Sequence, residues 1–334
     1  MKLLTWCFVW LLAGAGAVSA QPGLLPVLSE PAPVQSLQVP AAVIALPRGE
    51  HAILVEKQTQ RFYIYGSVPG FRGLVRVFDT PCSTGEAFGP KQVEGDKKTP
   101  EGIYFIINEH LEKDLTPIYG PRAFPLDYPH LLDRHQGKTG YAIWIHGTNK
   151  PLKPMDTNGC VALENPDVLR LSAFVTRHVT PVIIQETIRY TDPETLVKQE
   201  AGVTRFLAGW IRAHLTGTYQ EYAALYLPGS LPDVSAWEAW GHHLRRAEDA
   251  GNPFRIQISR KGIYRQGDMF VVAMDFELIQ ARTHHLLGRR RLFVHQPAGS
   301  KTLQIAGDEF QDAGRPRPAL AVMAAGAERL LGSR

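Results

Sequence analysis

The sequence predicts a β-rich domain followed by a smaller α+β domain. Between residues 49 and 190, short runs rich in β-branched and aromatic residues are separated by turns that contain glycine or proline, which is typical of closely spaced strands. From residue 191 onwards, apolar residues recur every three or four positions and predict helices, and three strand-like runs follow before residue 312. Helices that precede a separate run of strands indicate an α+β domain.

The first 48 residues are not predicted to belong to either domain. Residues 1–20 combine one lysine, a short apolar run and small residues up to Ala20, which predicts a secretory signal peptide cleaved after Ala20. The apolar run is too short and too rich in glycine and alanine to suit a membrane span. Residues 21–48 are dense in proline and predict a linker. We therefore expect an exported protein, which ends in an alanine-rich tail at residues 313–334.

The individual elements follow from the order of the runs. In the first domain, a hairpin is expected over residues 52–66, because two β-rich runs flank a polar turn. Further strands are expected at residues 74–80, 101–109, 140–147 and 180–186, with a short helix at residues 165–175. The second domain, residues 191–312, is expected to contain helices within residues 203–226 and 235–247, and strands at residues 254–266, 269–281 and 289–296.

The composition limits the interpretation. Hydrophobic residues make up 44% and charged residues 20% of the chain, which is ordinary for a globular protein with buried cores. The formal net charge of +4 is too small to indicate nucleic-acid binding. Once residues 1–20 are removed, Cys82 and Cys160 remain as the two cysteines. Two cysteines do not make a disulfide-dense scaffold, so either they pair or at least one is kept free for chemistry.

The stretch WIHGTNKPLKPMDTNGCVAL places His146 at the end of an apolar run and Cys160 fourteen residues later. A cysteine becomes a good nucleophile when an imidazole takes its proton, and the N–H groups near Gly159 and Cys160 can stabilise an oxyanion. A third group must fix the imidazole tautomer, and Asp156 or the carbonyl of Gly147 can serve. The residues alone leave a second interpretation open, in which this is a loop with a buried cysteine.

Three motifs in one order carry a resemblance to a known family. They are CSTG at residues 82–85, GDKKTPEGIYFI at residues 95–106, and HGT followed by TNGCVAL up to residue 163. Together they resemble the L,D-transpeptidase catalytic domain (YkuD-type), whose fold is a β-sandwich with short helices. The resemblance implies that Cys160 is the nucleophile, that His146 is the base and that Gly147 offers its carbonyl to the histidine. It also makes Thr157, Asn158 and Gly159 candidates for substrate binding, and Trp144 either lines the pocket or belongs to the core.

The resemblance implies a reaction on peptidoglycan in the periplasm or cell envelope. In this family the thiolate attacks the carbonyl at the L-centre of the third stem-peptide residue and expels the terminal D-alanine. The acyl group then passes to an amine in a transpeptidase, or to water in an L,D-carboxypeptidase that trims tetrapeptides to tripeptides. A peptidoglycan-binding scaffold without catalysis is the alternative from another class, and the intact pair of His146 and Cys160 argues against it.

One difference from the family pattern and an additional C-terminal domain bear on the choice between transpeptidase and carboxypeptidase. Most members carry arginine two residues after the cysteine, where this chain has Ala162. The stretches at residues 119–140 and 160–165 are similar to a subgroup with a C-terminal domain that resembles nuclear transport factor 2, and this subgroup includes L,D-carboxypeptidases that set cell shape. Glycan strands or other cell-wall proteins are the partners expected for that domain. No metal or cofactor is expected, because the neighbouring histidines at 242–243 and 284–285 would alternate faces on a strand.

Overall fold

The computed structural model describes residues 38–67, 73–231, 233–251, 253–280 and 283–312. The signal peptide expected at residues 1–20 and the tail expected at residues 313–334 lie outside these residues and stay predictions. No helix within the described residues is long and apolar enough to cross a membrane.

Sixteen strands and five α-helices are found in the described part of the chain. The strands are β1 (Val39–Pro40), β2 (Val43–Ala45), β3 (His51–Glu56), β4 (Arg61–Ser67), β5 (Leu74–Pro81), β6 (Gly102–Phe105), β7 (His110–Leu111), β8 (Arg122–Pro125), β9 (Trp144–His146), β10 (Val161–Ala162), β11 (Pro181–Gln185), β12 (Tyr190–Thr191), β13 (Phe254–Gln266), β14 (Met269–Gln280), β15 (Thr283–His295) and β16 (Gln304–Asp312). The helices are α1 (Leu131–His135), α2 (Asn165–Leu171), α3 (Pro193–Thr216), α4 (Tyr219–Ala223) and α5 (Val234–Asp249), and short 3-10 helices lie at Glu112–Asp114, Pro117–Tyr119, Ser172–Phe174 and Pro228–Ser230.

These strands form four sheets. The larger sheets have five strands each, in the orders β5-β4-β3-β11-β6 and β16-β15-β14-β13-β2. A four-stranded sheet has the order β10-β9-β8-β7, and β1 pairs with β12. The predicted fold class, a β-rich domain followed by helices and a further set of strands, is confirmed.

The alternation of side chains along the strands explains how the layers stack. On β3, Ile53 and Val55 belong to a core that also contains residues of the four-stranded sheet, which makes a β-sandwich. Ala52 and Leu54 point the other way, into a second core shared with β13, β14 and β15. The opposite face of β14 packs against α3 in a third core. The β-rich part and the later strands therefore share buried apolar surface.

Two segments differ from the sequence-based expectation. The end of the proline-rich segment is folded, because Val39, Val43 and Ile44 are buried and β2 pairs with β13. The strand expected over residues 140–147 is shortened to Trp144–His146, and the residues before it form a loop in which Ala142 adopts a φ of 56°. That loop runs beside Cys160, and it therefore contributes to the candidate site.

Candidate active site

The parallel pairing of β9 and β10 brings Cys160 and His146 together. In this register Val161 lies opposite Ile145 and Ala162 lies opposite His146, so Cys160 comes level with Trp144. Residues two apart on a strand point to the same face, and the spacing of neighbouring strands places the Cα atoms of Cys160 and His146 about 8 Å apart. The thirteen residues between His146 and Cys160 thus form a loop that returns the chain to the neighbouring strand.

His146 is held in a defined tautomer at the end of β9. Its side chain is buried, and its Nδ1 atom lies 2.6 Å from the carbonyl oxygen of Gly147. Nδ1–H donates to this carbonyl, which leaves Nε2 as the proton acceptor. Burial lowers the pKa of His146 below its ordinary value, and the Gly147 carbonyl offsets this only in part. The imidazole is therefore neutral at pH 7. The other sequence candidate for the third group, Asp156, is exposed, and its N–H donates to the Ser83 hydroxyl.

The turn that presents Cys160 is built by Thr157 and Gly159. The Thr157 hydroxyl accepts the N–H of Gly159 at 3.1 Å and donates to the carbonyl of Cys160 at 2.8 Å. Gly159 has a φ of +127°, and a Cβ atom there would lie 2.8 Å from the carbonyl oxygen of Lys98. Only glycine fits this position without strain. Both residues were expected to contact substrate, whereas in the structure the Thr157 side chain is occupied by the turn.

The backbone donors near the nucleophile are unequal. The N–H of Gly159 is already engaged by Thr157. The N–H of Cys160 has no hydrogen-bond partner among the described residues. It is therefore a backbone donor available for an oxyanion at this turn. Asn158, which lies between Thr157 and Gly159, is exposed.

An aromatic wall lies beside the imidazole. The Tyr119 ring meets the His146 ring edge to face, with centroids 5.0 Å apart. Trp144 is half-buried and lies between Tyr119, at 5.2 Å, and His110, at 5.3 Å. Trp144 is therefore not part of the closed core, and its contact with substrate stays a prediction. No role for Tyr119 followed from the sequence, because it comes 27 residues before His146 in a 3-10 helix and lies outside the three family motifs.

Opposing influences act on the thiol of Cys160. Burial raises its pKa above the ordinary value, while the N–H of Trp144 and the positive charge of Lys91 lower it. Lys91 is itself buried and forms an ion pair with Asp96 at 2.8 Å. Although burial raises the pKa of Asp96, hydrogen bonds from Lys91 and from the N–H groups of residues 92, 93 and 98 lower it to about 2. The net result is a neutral thiol with a fixed cation nearby. No sequence pattern indicates a role for Lys91.

The second cysteine does not take part in this site. Cys82 and Cys160 are both free thiols, and Cys82 is buried in the core of the sandwich. Burial raises the pKa of Cys82 to about 12. The position where the family carries arginine is filled by Ala162, which is buried and pairs with Ser83 through two backbone hydrogen bonds of 2.9 Å. Within the described residues, no group of three or more His, Cys, Asp or Glu side chains is placed to hold a metal ion.

Comparison with known proteins gives a family match for the residues that contain this site. Residues 50–184 match the family model for the L,D-transpeptidase catalytic domain, YkuD. YafK of Escherichia coli K12, assigned to the L,D-transpeptidases, is 33% identical over 95 residues, which are 28% of this chain and 35% of that protein. The chain thus matches about a third of the length of this relative.

Two solved structures share the fold over most of the chain. Bd1075 of Bdellovibrio bacteriovorus has a TM-score of 0.65 at 21% identity, covering 84% of this chain and all of that one. The helical cell shape determining protein Pgp2 of Campylobacter jejuni has a TM-score of 0.58 at 22% identity, covering 80% of this chain and 96% of that one. The likeness of residues 191–312 to nuclear transport factor 2 stays a prediction.

Proposed function

We propose that this chain, whose residues 50–184 match the family model for the L,D-transpeptidase catalytic domain, is a cysteine acyltransferase that acts on peptidoglycan tetrapeptides. The observation that supports the proposal is the parallel pairing of β9 with β10, which brings Cys160 level with Trp144, two residues before His146, together with the hydrogen bond to Gly147 that fixes the tautomer of His146. A loop with an incidental buried cysteine would need neither this register nor this tautomer.

Because the Cys160 thiol and the His146 imidazole are both neutral at rest, the first step includes a proton transfer between them. Cys160 attacks the carbonyl carbon at the L-centre of the third residue, and its proton passes to Nε2 of His146. The oxyanion that forms accepts a hydrogen bond from the N–H of Cys160. When the intermediate collapses, the C–N bond breaks, and the imidazolium gives its proton to the amine of the leaving D-alanine. A thioester on Cys160 remains.

The second step decides between two activities. If an amine attacks the thioester, His146 takes its proton, a new amide forms and the thiol is regenerated, which is transpeptidation. If water attacks, the product is a tripeptide and the activity is that of an L,D-carboxypeptidase. Ala162, in place of the arginine usual in the family, and the fold shared with the cell-shape protein Pgp2 favour the carboxypeptidase as the second candidate.

The test is one incubation with two proteins. The chain without residues 1–20 and its Cys160→Ala variant are mixed with disaccharide-tetrapeptides, and the products are identified by mass spectrometry. Dimers joined between third residues, or exchange of an added D-amino acid, would identify a transpeptidase. Tripeptide with free D-alanine would identify a carboxypeptidase. If the wild type gave no product that Cys160→Ala lacks, the catalytic proposal would fail and a binding scaffold would remain.

The setting of the reaction belongs to the same proposal. Peptidoglycan lies outside the cytoplasm, so the enzyme would work in the periplasm or cell envelope after removal of residues 1–20. Residues 191–312 would bind glycan strands or other cell-wall proteins. Fractionation of cells that express the full chain with a C-terminal tag tests the location, because retention in the cytoplasm would contradict export.

A further inference from the structure

We propose that Asn165 is a positioning residue for the catalytic imidazole of His146, acting through the peptide bond between Gly147 and Thr148. The inference rests on the proposed function and deepens it, because it completes the set of groups that orient the base. No role for Asn165 followed from the sequence.

Two hydrogen bonds meet on the same peptide group. The carbonyl oxygen of Gly147 accepts from Nδ1 of His146 at 2.6 Å. The N–H of Thr148, at the other end of that peptide, donates to Oδ1 of Asn165 at 2.9 Å. The peptide bond is planar, so a contact that fixes its N–H also fixes the direction of its carbonyl. Hydrogen bonds in series also polarise one another, which makes the carbonyl a better acceptor.

The fit around Asn165 is tight on two sides. A Cβ atom added to Gly147 or to Gly120 would collide with Oδ1 of Asn165. Gly120 also adopts a φ of +62°. Both glycines therefore leave room for this amide oxygen, and the close approach explains their identity better than chain flexibility does.

The amide nitrogen of Asn165 begins a chain of hydrogen bonds that leads to the segment on the other side of the imidazole. Nδ2 donates to Oδ1 of Asn149 at 2.7 Å, and Nδ2 of Asn149 donates to the carbonyl of Pro117 at 2.6 Å. Pro117 begins the 3-10 helix that ends at Tyr119, whose ring lies against His146. One side chain thus connects both the hydrogen-bond partner and the ring neighbour of the base.

The helix that carries Asn165 is anchored in the core of the sandwich. Asn165 is the first residue of α2, which starts three residues after β10. Val168 and Leu171, on the inner side of this helix, are fully buried in the core of the sandwich. A short segment therefore carries the nucleophile at one end and the positioning group at the other, so their separation is fixed by the fold.

The experiment compares three variants of the chain lacking residues 1–20. Asn165→Ala removes both contacts, Asn165→Asp keeps an acceptor for the Thr148 N–H, and Glu164→Ala is the matched control. Glu164 is exposed, and its side chain makes no capping hydrogen bond to the helix. Each variant is measured for kcat and KM on tetrapeptide across pH, for alkylation of Cys160 by iodoacetamide without substrate, and for thermal unfolding.

We expect Asn165→Ala to lower kcat about 10- to 100-fold with little change in KM, as for other groups that orient a functional imidazole. Alkylation of Cys160 near pH 7 should slow in parallel. Asn165→Asp should retain most of kcat and move the acid limb upward by at least about 0.5 pH unit, because a carboxylate roughly 7 Å from the ring stabilises the imidazolium. Glu164→Ala should match the wild type.

Wild-type kcat, alkylation rate and pH profile in a folded Asn165→Ala protein would overturn the proposal. So would an unshifted acid limb in Asn165→Asp, and this outcome decides the matter if Asn165→Ala does not fold. The alkylation assay uses no peptidoglycan. A wild type that gives no product on tetrapeptides but a clear Asn165 effect on alkylation would reject the proposed substrate and leave the positioning role intact.

Discussion

The Nδ1 atom of His146 lies 2.6 Å from the carbonyl oxygen of Gly147, and the ring nitrogen left to act as a base is therefore Nε2. Because burial lowers the pKa of His146 below 6.5, the base form is already populated in mildly acidic solution. We expect kcat/KM to rise along an acid limb with its midpoint below pH 6.5 and then to stay level through neutral pH. The measurement is a profile of kcat/KM from pH 4 to pH 10.

The expected pH dependence of kcat/KM follows from the directions of the pKa shifts of His146 and Cys160. A lowered histidine pKa moves the loss of the base to lower pH, and a thiol pKa raised above 9.0 by burial keeps Cys160 protonated at neutral pH. A preformed thiolate-imidazolium pair would behave differently, because its thiol would titrate at acidic pH. A midpoint above pH 6.5, or a thiolate absorbance near 240 nm at pH 6 that Cys160→Ala lacks, would contradict the neutral pair.

The two cysteines should differ in reactivity. Cys160 is partly exposed, whereas Cys82 is 2% exposed and its pKa is raised to about 12 by burial. Only the thiolate reacts, so iodoacetamide at pH 8 should label Cys160 in the native protein and label Cys82 only after unfolding in urea. Peptide mass spectrometry measures both sites. Equal labelling of Cys82 in the folded protein, or a peptide linking the two cysteines, would show that this assignment is wrong.

The sequence predicted those features that depend on neighbouring residues. The proposed nucleophile Cys160, the proposed base His146 and the carbonyl of Gly147 belong to one loop and its flanking strands, so a local motif was sufficient to suggest them. Lys91 and Tyr119 reach the site from other segments, and their contribution depends on register and packing that no local pattern encodes. Gly159 was a candidate for substrate binding from its motif, and the close approach of the Lys98 backbone to it could not be read from the sequence.

In the proline-rich segment, the sequence predicted less structure than the protein has. Proline content predicted a linker up to residue 48, yet Val39, Val43 and Ile44 are buried. β2 pairs with one side of β13 and so covers what would otherwise be an open strand edge. Proline at position 40 is tolerated because β1 is only two residues long and pairs on one side with β12. Burial of apolar residues outweighed composition in this segment.

The turn around Cys160 should depend on the Thr157 hydroxyl. Thr157→Val removes one accepted and one donated hydrogen bond at nearly constant volume. Each bond contributes about 1 kcal/mol, and the loss should loosen the position of the Cys160 N–H and sulfur, so we expect kcat to fall about tenfold or more. Thr157→Ser keeps the hydroxyl and should stay within about threefold of the wild type. Steady-state rates on tetrapeptide, with thermal unfolding measured alongside, decide the matter, and equal rates for the two variants would contradict it.

The last prediction concerns the ion pairs that join the sandwich to the later strands. Arg291 on β15 bonds to Asp127, which follows β8, and also contacts Glu309 at 3.1 Å. Asp127 accepts the N–H of Phe105, and Glu309 accepts the N–H of Leu131. Arg291→Met would leave two largely buried carboxylates without their shared cation. We expect it to lower the free energy of unfolding by about 2–4 kcal/mol.

The control for this expected loss of unfolding free energy is an exposed ion pair of the same type. Arg76 contacts Asp79 at 3.4 Å with about half of its side chain in solvent. Arg76→Met should therefore cost less than about 0.5 kcal/mol. Adding Asp127→Asn to Arg291→Met should restore part of the loss, because one uncompensated charge is removed. Urea unfolding of the four proteins gives the values. If Arg291→Met were no more destabilising than Arg76→Met, the shared apolar core alone would hold the two parts together.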